Sequence, residues 1–333
     1  MNRSALWILL FIVFSLAVVA VAPMIGGDFL SVKDVLFAAE DSTAPMLFWK
    51  IRMPRVCLGW VAGAALAVAG MVFQAMFRNA LATPFTLGVS SGASLGAAIG
   101  IHVGLGFSFW VFTGTSFASM FGALGAIGIV YGVTRMKKDF STGAMLLTGV
   151  AVNFFFSSLI LLIQYQSSYT NAFRILRWLM GGLDMVGFDA TLGLLPFVLI
   201  GFIAVALMVG ELNLLTIGEE LAASRGVAVE RLKMVLFFCV SIMVGAVVAT
   251  CGPIGFVGLM CPHICRLIVG ADHRALFPAT VFFGGAFLVI CDTVARSLFF
   301  PTELPVGIFT SFLGGPFFLW LLVKPPKGGR IVG

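Results

Sequence analysis

Long apolar runs without a single charged residue constrain this sequence more than any other feature. Four of them cover residues 7–24, 56–77, 145–163 and 192–209. A helix needs about 20 apolar residues to cross the hydrocarbon core of a membrane, at a rise of about 1.5 Å per residue. The strands of transmembrane barrels are short and alternate apolar with polar residues, unlike these solid runs. The runs therefore predict a helical membrane protein.

Composition and charge narrow the class further. The 333 residues are 60% hydrophobic and only 10% charged, whereas soluble domains carry about 25% charged residues. The net charge of +6 is interpreted as a topology signal, because basic residues of membrane proteins accumulate in cytoplasmic connections. We expect an all-α membrane protein with a single transmembrane domain, residues 1–333, and no nucleic-acid partner.

Hydropathy and helix length predict about ten transmembrane helices. The first is expected to be retained rather than cleaved as a signal peptide, because its apolar run reaches about 20 residues and no clear cleavage site follows. The short span at 255–270 is the least regular, since it contains Pro262 and His263. The predicted spans are 6–26, 56–77, 85–104, 111–133, 143–163, 191–210, 234–252, 255–270, 275–298 and 305–323.

The distribution of basic residues predicts the orientation. With the N-terminus inside, thirteen of the twenty lysines and arginines fall in inner connections and seven in outer ones. This bias places both termini in the cytoplasm. Seven outer cations are nevertheless more than the positive-inside rule favours, so they need a separate reason.

The polar inner segment 211–233 predicts a helix, a glycine turn and a second helix. The pair Glu219-Glu220 suits the acidic first turn of a short helix that begins at Thr216 or Gly218, and Gly226 can end that helix in the left-handed conformation. A short rigid element here suits contact with a cytosolic motor, and an ordinary surface loop explains the pattern as well. The chain has no GxxxxGK[ST] motif, so another subunit would have to hydrolyse ATP.

Three arginines are predicted at the outer ends of spans. Arg52 and Arg55 lie on either side of Pro54, which is expected to stop a helix from forming upstream, and Arg296 ends the ninth span. Arginine side chains commonly snorkel to lipid headgroups. Alternatively, they form bidentate pairs with the carboxylates of an acidic external partner, which would explain the excess of outer charge.

Asp292 is an acid inside the ninth span, four residues before Arg296, so the two side chains share a helix face. An intramembrane acid is a functional candidate by default. A structural ion pair between Asp292 and Arg296 is the favoured interpretation, and a proton relay is the alternative.

Small polar residues at inner helix ends are candidates for a gate. Asn79 begins the turn 79–84 after the second span, and Ser141 and Thr142 precede the fifth span. Residues of this kind can line a gate, and Ser141 or Thr142 can equally serve as a simple helix N-cap.

The six cysteines are scattered and form no CxxC pair. Neither a disulfide framework nor a zinc knuckle is therefore indicated. Cys261, His263 and Cys265 surround Pro262, but the proline distorts their spacing, and we expect no metal site there.

Three ordered motif blocks, spread over nearly the whole chain, make the sequence resemble a known family. That family is the permeases of type II ATP-binding-cassette (ABC) importers, which carry iron-siderophores, haem and vitamin B12. The blocks contain Arg52-Met53-Pro54-Arg55, Gly63-Ala64-Ala65-Leu66-Ala67 and Leu87-Gly88-Val89-Ser90; Gly252-Pro253-Ile254-Gly255 and Gly270-Ala271-Asp272-His273-Arg274; and Asp292, Glu303-Leu304-Pro305-Val306-Gly307 and Gly314-Gly315-Pro316.

The resemblance implies a machine of several subunits in a bacterial inner membrane. Two permease subunits of ten helices each, expected here as a homodimer, would surround a central pathway. Two ATPase subunits, which bind ATP and Mg²⁺, would lie below, and a periplasmic binding protein would dock above. This chain itself would hold no cofactor and would not be an enzyme.

The resemblance also assigns roles to residues. Arg52, Arg55 and Arg296 would dock the binding protein. The gate would comprise Asn79, Leu81, Ser141, Thr142 and Gly143. The residues that couple the permease to the ATPase would be Leu215, Gly218, Glu219, Glu220, Ala222, Gly226 and Val227, within the segment 215–227.

Two departures from the family pattern occur. The usual Asn-Pro-Leu-Ala reads Asn79-Ala80-Leu81-Ala82 here, which puts fine gate geometry in doubt, and cysteines replace the apolar residues around Pro262-His263. The expected function is import of a metal chelate, most often an iron-siderophore, by alternating access. Vitamin B12 and haem are alternative cargoes. A secondary transporter is the rival class, and a membrane enzyme lacks a recognisable catalytic set.

Overall fold

The structure is a computed structural model of the chain. It describes residues 3–26, 30–31, 35, 43–109, 112–136, 142–184, 186–298 and 302–323. Of Phe109, Thr142 and Leu322 only the backbone is described.

Within these ranges the fold contains thirteen α-helices, a short 3₁₀ turn at Ala22–Met24, a π-helical segment at Phe48–Arg52 and a two-residue antiparallel hairpin of β1 (Ser108–Phe109) and β2 (Phe112–Thr113). The helices are α1 (Arg3–Val21), α2 (Thr43–Leu47), α3 (Met53–Phe77), α4 (Val89–Val103), α5 (Gly114–Met136), α6 (Thr142–Gln166), α7 (Tyr169–Leu179), α8 (Asp189–Ile217), α9 (Glu219–Ser224), α10 (Val229–Cys251), α11 (Val257–Val269), α12 (His273–Leu298) and α13 (Val306–Val323).

The all-helical prediction is confirmed, and the apolar helices fall where spans were predicted. Among the described residues, seven helical segments are long and apolar enough to cross a membrane, and three shorter apolar helices lie at Val89–Val103, Val257–Val269 and Val306–Leu321. Each of them overlaps one of the ten predicted spans, and the largest difference is at the second span, where the helical segment begins at Thr43 and the prediction at residue 56. The count of ten crossings stays a prediction.

Helix α3 forms the centre of the bundle. It packs against α8, α10, α11 and α12, and almost all its side chains are buried. Helix α1 packs on α12 through an edge-on contact between Phe11 and Phe283, with ring centroids 5.5 Å apart. Trp60 of α3 also donates a 2.7 Å hydrogen bond to the Ser15 hydroxyl of α1. The first helix is therefore part of the bundle.

The contact between α3 and α11 depends on two glycines. A Cβ added at Gly70 would overlap the backbone carbonyl of Gly258. Small residues allow membrane helices to approach at backbone distance, where dispersion forces and weak hydrogen bonds hold them together. Gln74, one turn further along α3, donates to the carbonyls of Gly258 and Leu259 at 3.3 and 3.4 Å.

We expect Gly70→Ala to destabilise the chain by about 3 kcal/mol, because the methyl group must push two helix backbones apart. Thermal unfolding of the detergent-solubilised protein measures this loss. Gly125→Ala in α5 is the matched control, since open space surrounds that position and alanine is the better helix former by about 1 kcal/mol. Equal unfolding temperatures for the two variants would contradict the close packing of α3 on α11.

The expectation that Pro54 stops a helix upstream is wrong. Residues Thr43–Leu47 are α-helical, Phe48–Arg52 are π-helical, and α3 continues from Met53. A proline ring clashes with the carbonyl four residues before it in a regular α-helix. The wider π-turn before Pro54 relieves this clash, so the helical path continues through the proline.

A second helix was also not predicted. α7 (Tyr169–Leu179) lies between the predicted fifth and sixth spans, with Ser168 as its N-cap, whose side chain accepts from the Asn171 amide at 3.3 Å. It is strongly amphipathic rather than apolar, so a search for apolar runs passes over it.

The helix directions define two ends of the bundle. Ala22, just after α1, lies beside Arg296 near the end of α12, so α1 begins at the opposite end. Helix α13 starts beside Gly181, whose carbonyl accepts from the Gly307 amide at 3.2 Å, and runs towards that same opposite end. The first and last described residues therefore lie on one side of the bundle, and the assignment of that side to the cytoplasm stays a prediction.

Candidate functional site

The structure brings the three predicted docking arginines together at one end of the bundle, here named the arginine cluster: Arg52, Arg55 and Arg296. Arg52 ends the π-helical segment, Arg55 lies in the first turn of α3, and Arg296 lies in the last turns of α12. All three are buried, with 6%, 8% and 5% of their surface exposed. Each guanidinium makes contacts within the chain, so none projects freely from the surface.

Arg55 is held by three carboxylates. Its Nε and Nη2 donate to Oδ2 and Oδ1 of Asp292 at 2.9 and 2.8 Å, a bidentate pair. Its Nη1 donates to Oε2 of Glu303 at 2.6 Å and lies 3.5 Å from Oδ1 of Asp184. Asp184 in turn accepts from Arg177 at 3.4 Å. The bidentate geometry fixes the plane of the Arg55 guanidinium.

Arg52 and Arg296 bind the chain just after α1. Nη2 of Arg296 donates to the Ala22 carbonyl at 2.6 Å. Nη1 of Arg52 donates to the carbonyls of Pro23 and Met24, both at 3.4 Å, and the guanidinium fills the space that Gly26 leaves open. These contacts satisfy carbonyls at the end of a helix, a role that suits cations because that end carries partial negative charge.

The predicted pair of Asp292 and Arg296 is present but is the weaker contact. Nε of Arg296 lies 4.0 Å from Oδ2 of Asp292, whereas Arg55 approaches the same carboxylate to 2.8 Å. Helical spacing identified Arg296, the neighbour of Asp292 on the same helix. The main partner of Asp292 is Arg55, which lies on another helix 237 residues away in sequence.

The segment 211–233 forms the predicted helix, glycine turn and helix at the opposite end of the bundle. Gly218 precedes α9, Gly226 has the predicted positive φ of 85°, and α10 begins at Val229. Leu215 and Ala222 are buried, Gly218 and Val227 are half-buried, and Glu219, Glu220 and Gly226 are exposed. The exposed side of α9 is therefore acidic, and its buried side attaches it to the bundle.

Lys233 attaches α9 to α10. Its ammonium group donates to Oε1 of Glu219 at 2.6 Å, and only 4% of its surface is exposed, whereas the Glu219 side chain is 45% exposed. A buried cation requires a partner, so this pair fixes the start of α9 against the side of α10.

A second polar contact lies beside this segment. The Asn213 side chain near the end of α8 accepts from the His273 amide at 2.8 Å and donates to Oδ1 of Asp272 at 2.7 Å. The Arg274 amide also donates to Asp272 at 3.0 Å. The hydrogen bonds from the Arg274 amide and the Asn213 side chain lower the pKa of the Asp272 carboxyl group. They join the end of α8 to the start of α12.

The predicted gate residues lie in two places. Arg78 has a positive φ of 49° and ends α3. Asn79 then forms a turn in which its Oδ1 accepts from the Leu81 amide at 2.9 Å, and Leu81 is 52% exposed. Gly143 lies in the first turn of α6, after the backbone of Thr142, and Ser141 lies outside the described residues.

An uncharged groove with mixed polar and apolar lining runs between α4 and α6. Its volume is about 510 Å³. Asn153 of α6 donates to the Phe85 carbonyl at 3.0 Å, which fixes one wall. The polar residues that line the groove carry hydroxyl or amide groups and no formal charge: Ser90, Ser91, Ser94, Asn153, Ser157 and Gln164.

The sequence did not predict roles for Asp184, Glu303 and Lys233, and it did not predict this groove. Asp184 and Glu303 lie in short connections at the same predicted side as the arginines, which is the signal that could have identified them. The groove shows in the sequence as serines three and four residues apart in α4, at the spacing of one helix face.

A bundle of apolar helices, with a charged cluster at one end and a short helix bearing two exposed glutamates at the other, suits a membrane transport subunit. The family model of the FecCD transport family matches residues 7–324, so this chain belongs to the FecCD transport family. It is a transmembrane ABC permease.

Curated relatives support this class. The chain is 40% identical over 299 residues to the "Uncharacterized ABC transporter permease protein YvrB" of Bacillus subtilis, covering 88% of this chain and 83% of the relative. It is 41% identical to the "Cobalamin import system permease protein BtuC" of Halobacterium salinarum, covering 84% and 74%. It is 36% identical to the "Hemin transport system permease protein HmuU" of Yersinia pestis, covering 87% of both chains.

A solved structure has the same fold. It is described as an inward-facing conformation of a metal-chelate type ABC transporter, and it superposes with a TM-score of 0.84 at 29% sequence identity. The superposition covers 97% of this chain and all of the other.

Proposed function

We propose that this chain forms the passage of an importer that moves a metal chelate across the bacterial inner membrane, with an iron-siderophore as the expected cargo. The similarity over 97% of the chain to a metal-chelate type ABC transporter carries the proposal. Relatives named for cobalamin and hemin support vitamin B12 and haem as alternative cargoes on the same scaffold.

The groove between α4 and α6 supports a passage for a bulky chelate. Its hydroxyl and amide groups offer many weak hydrogen bonds and no strong charge. A passage must bind its cargo weakly at several points, because tight binding would prevent release. An uncharged wall of apolar, hydroxyl and amide groups fits this requirement better than a charged one.

We assign the remaining parts of the machine to other subunits. A second copy of this chain would complete the passage, and two cytosolic ATPase subunits, with ATP and Mg²⁺, would bind at the end that carries α9. A periplasmic binding protein would dock at the arginine cluster. ATP-driven closure of the ATPase subunits would move α9 and, through Lys233, α10, and so open the passage to alternate sides.

A secondary transporter driven by protons is the rival proposal. It would protonate an intramembrane acid such as Asp292. In this fold both oxygens of Asp292 accept from Arg55, at 2.8 and 2.9 Å, so each proton transfer would have to break a buried bidentate pair. The observation favours a structural role for Asp292 and an energy source outside this chain.

Uptake by a reconstituted complex tests the proposal. The permease, purified with its ATPase in proteoliposomes and supplied with its binding protein, is expected to import radioactive ferric chelate with ATP. Vanadate should abolish uptake, and a proton ionophore should leave it unchanged. Uptake that is resistant to vanadate and sensitive to the ionophore would favour the rival class. Competition by a ferric hydroxamate, haem or cobalamin then identifies the cargo.

A further inference from the structure

The arginine cluster has a cationic interior and an acidic rim. The buried side chains are Arg55 and Asp292, with 10% and 3% of their side-chain surface exposed, whereas Asp184 and Glu303 are 51% and 50% exposed. Asp292 holds the Nε and Nη2 edge of Arg55, and the two rim carboxylates hold Nη1. A partner that approaches this end meets these two carboxylates, and the exposed Arg177 that pairs with Asp184, before it reaches Arg55.

Two of the buried arginines share one buried carboxylate. Asp292 pairs with Arg55 at 2.8 Å and lies 4.0 Å from Nε of Arg296. Nε of Arg296 is buried without a hydrogen-bond partner in the described part of the chain. Buried cations are costly unless opposite charge lies close to them. Asp184 and Glu303 supply that charge from outside.

We infer that Glu303 is a replaceable counter-ion: a carboxylate of the docking binding protein takes its place at Nη1 of Arg55. Asp292 keeps its bidentate pair throughout, so the guanidinium stays in position and presents the same nitrogen to either acid. This inference rests on the docking role proposed above and goes beyond it, because it names the group that the partner displaces.

Glu303 is the carboxylate that can leave. Within the described part of the chain its carboxylate contacts Nη1 of Arg55 at 2.6 Å, and the residue lies in the connection before α13. Because it is half exposed, its charge can return to water at little cost in desolvation. Asp292 cannot leave without exposing a buried guanidinium, and Asp184 is shared with Arg177.

A docking partner with basic side chains would give the opposite result when the Glu303 charge is removed. If the partner instead presented lysines or arginines, these would bind directly to the exposed oxygens of Glu303 and Asp184. Loss of the Glu303 charge would then weaken docking. Displacement of Glu303 by a partner carboxylate predicts stronger docking instead, because the uncharged side chain competes less well for Nη1 of Arg55.

The Kd of the periplasmic protein for the Glu303→Gln permease distinguishes an acidic docking partner from a basic one. The permease–ATPase complex in nanodiscs is titrated with the binding protein that supports uptake through it, by biolayer interferometry. Glutamine keeps the size and an acceptor oxygen but removes the charge. We expect the Kd to fall about fivefold, the equivalent of one partly exposed ion pair. Asp189→Asn, an exposed acid in the first turn of α8 at the same end, is expected to leave the Kd unchanged and controls for net charge.

Each other result has a definite meaning. A higher Kd for Glu303→Gln overturns the inference in favour of a basic partner. An unchanged Kd overturns it as well. Arg55→Lys keeps the positive charge but cannot form a bidentate pair. If this variant also leaves the Kd unchanged, the proposal that the binding protein docks at this end is refuted too. Vanadate-sensitive uptake measured on the same preparation shows whether the import proposal still stands.

Discussion

Asp292→Asn is expected to lower the stability of the protein by about 3–5 kcal/mol. The substitution keeps the shape of the side chain but leaves the Arg55 guanidinium buried without its main counter-ion. Removal of one partner of a buried ion pair costs this much because the remaining charge is uncompensated. The unfolding temperature of the detergent-solubilised chain, followed by tryptophan fluorescence, measures the loss.

Two further variants separate the effect of burial on stability from the effect of charge. Glu303→Gln removes a carboxylate from the same guanidinium but at a half-exposed site, so a loss of about 1 kcal/mol or less is expected. The double variant Arg55→Met with Asp292→Leu replaces the pair by apolar side chains and is expected to recover most of the stability, because buried pairs replaced together are often neutral. An Asp292→Asn protein as stable as the parent would contradict the central place of Asp292 in the cluster.

This pair also explains why charge reversal is a poor test of docking. Arg55→Glu would place a second carboxylate against Asp292, which lies 2.8 Å from the guanidinium now. The protein would lose stability whether or not a partner binds there. Variants of the rim, such as Glu303→Gln, change the surface that a partner meets and leave the buried pair intact.

The helical class and the approximate positions of the apolar helices could be predicted from the sequence. Their signal is local, because each long helix carries its own apolar run. Helix α7 escaped because its residues alternate apolar with cationic ones, such as Arg174 and Arg177, around a helix that lies outside the long apolar runs. The helix before Pro54 escaped because proline normally marks a boundary, and only a π-turn removes the clash.

The candidate site was predicted only in part. The family resemblance named Arg52, Arg55 and Arg296, and the structure gathers them at one end. Their burial and the partners of Arg55 were not foreseen, because Arg55 meets Asp292 and Glu303 across 237 and 248 residues of sequence. Helix periodicity reports only neighbours three or four residues away. It therefore identified Arg296 as the partner of Asp292 and missed the shorter contact between Asp292 and Arg55.

Lys233→Met is expected to uncouple ATP hydrolysis from transport. Under the proposed mechanism the ATPase moves α9, and the bond between Lys233 and Glu219 passes that motion to α10, which packs directly on the central helix α3. Methionine fills the space of the aliphatic stem, so the bundle should stay folded. Uptake per ATP hydrolysed should fall about tenfold, the usual size of a coupling between two sites.

The ratio of imported chelate to released phosphate in proteoliposomes measures this coupling. Arg274→Met is the matched control, because Arg274 is an exposed cation at the same end whose side chain lies outside the contact between α9 and α10. Glu219→Gln removes the same ion pair but leaves the buried Lys233 ammonium without its counter-ion, so it should lower stability as well as coupling. A Lys233→Met complex that imports as much chelate per ATP as the parent would show that α9 transmits motion through the backbone at Gly218 and Gly226 alone.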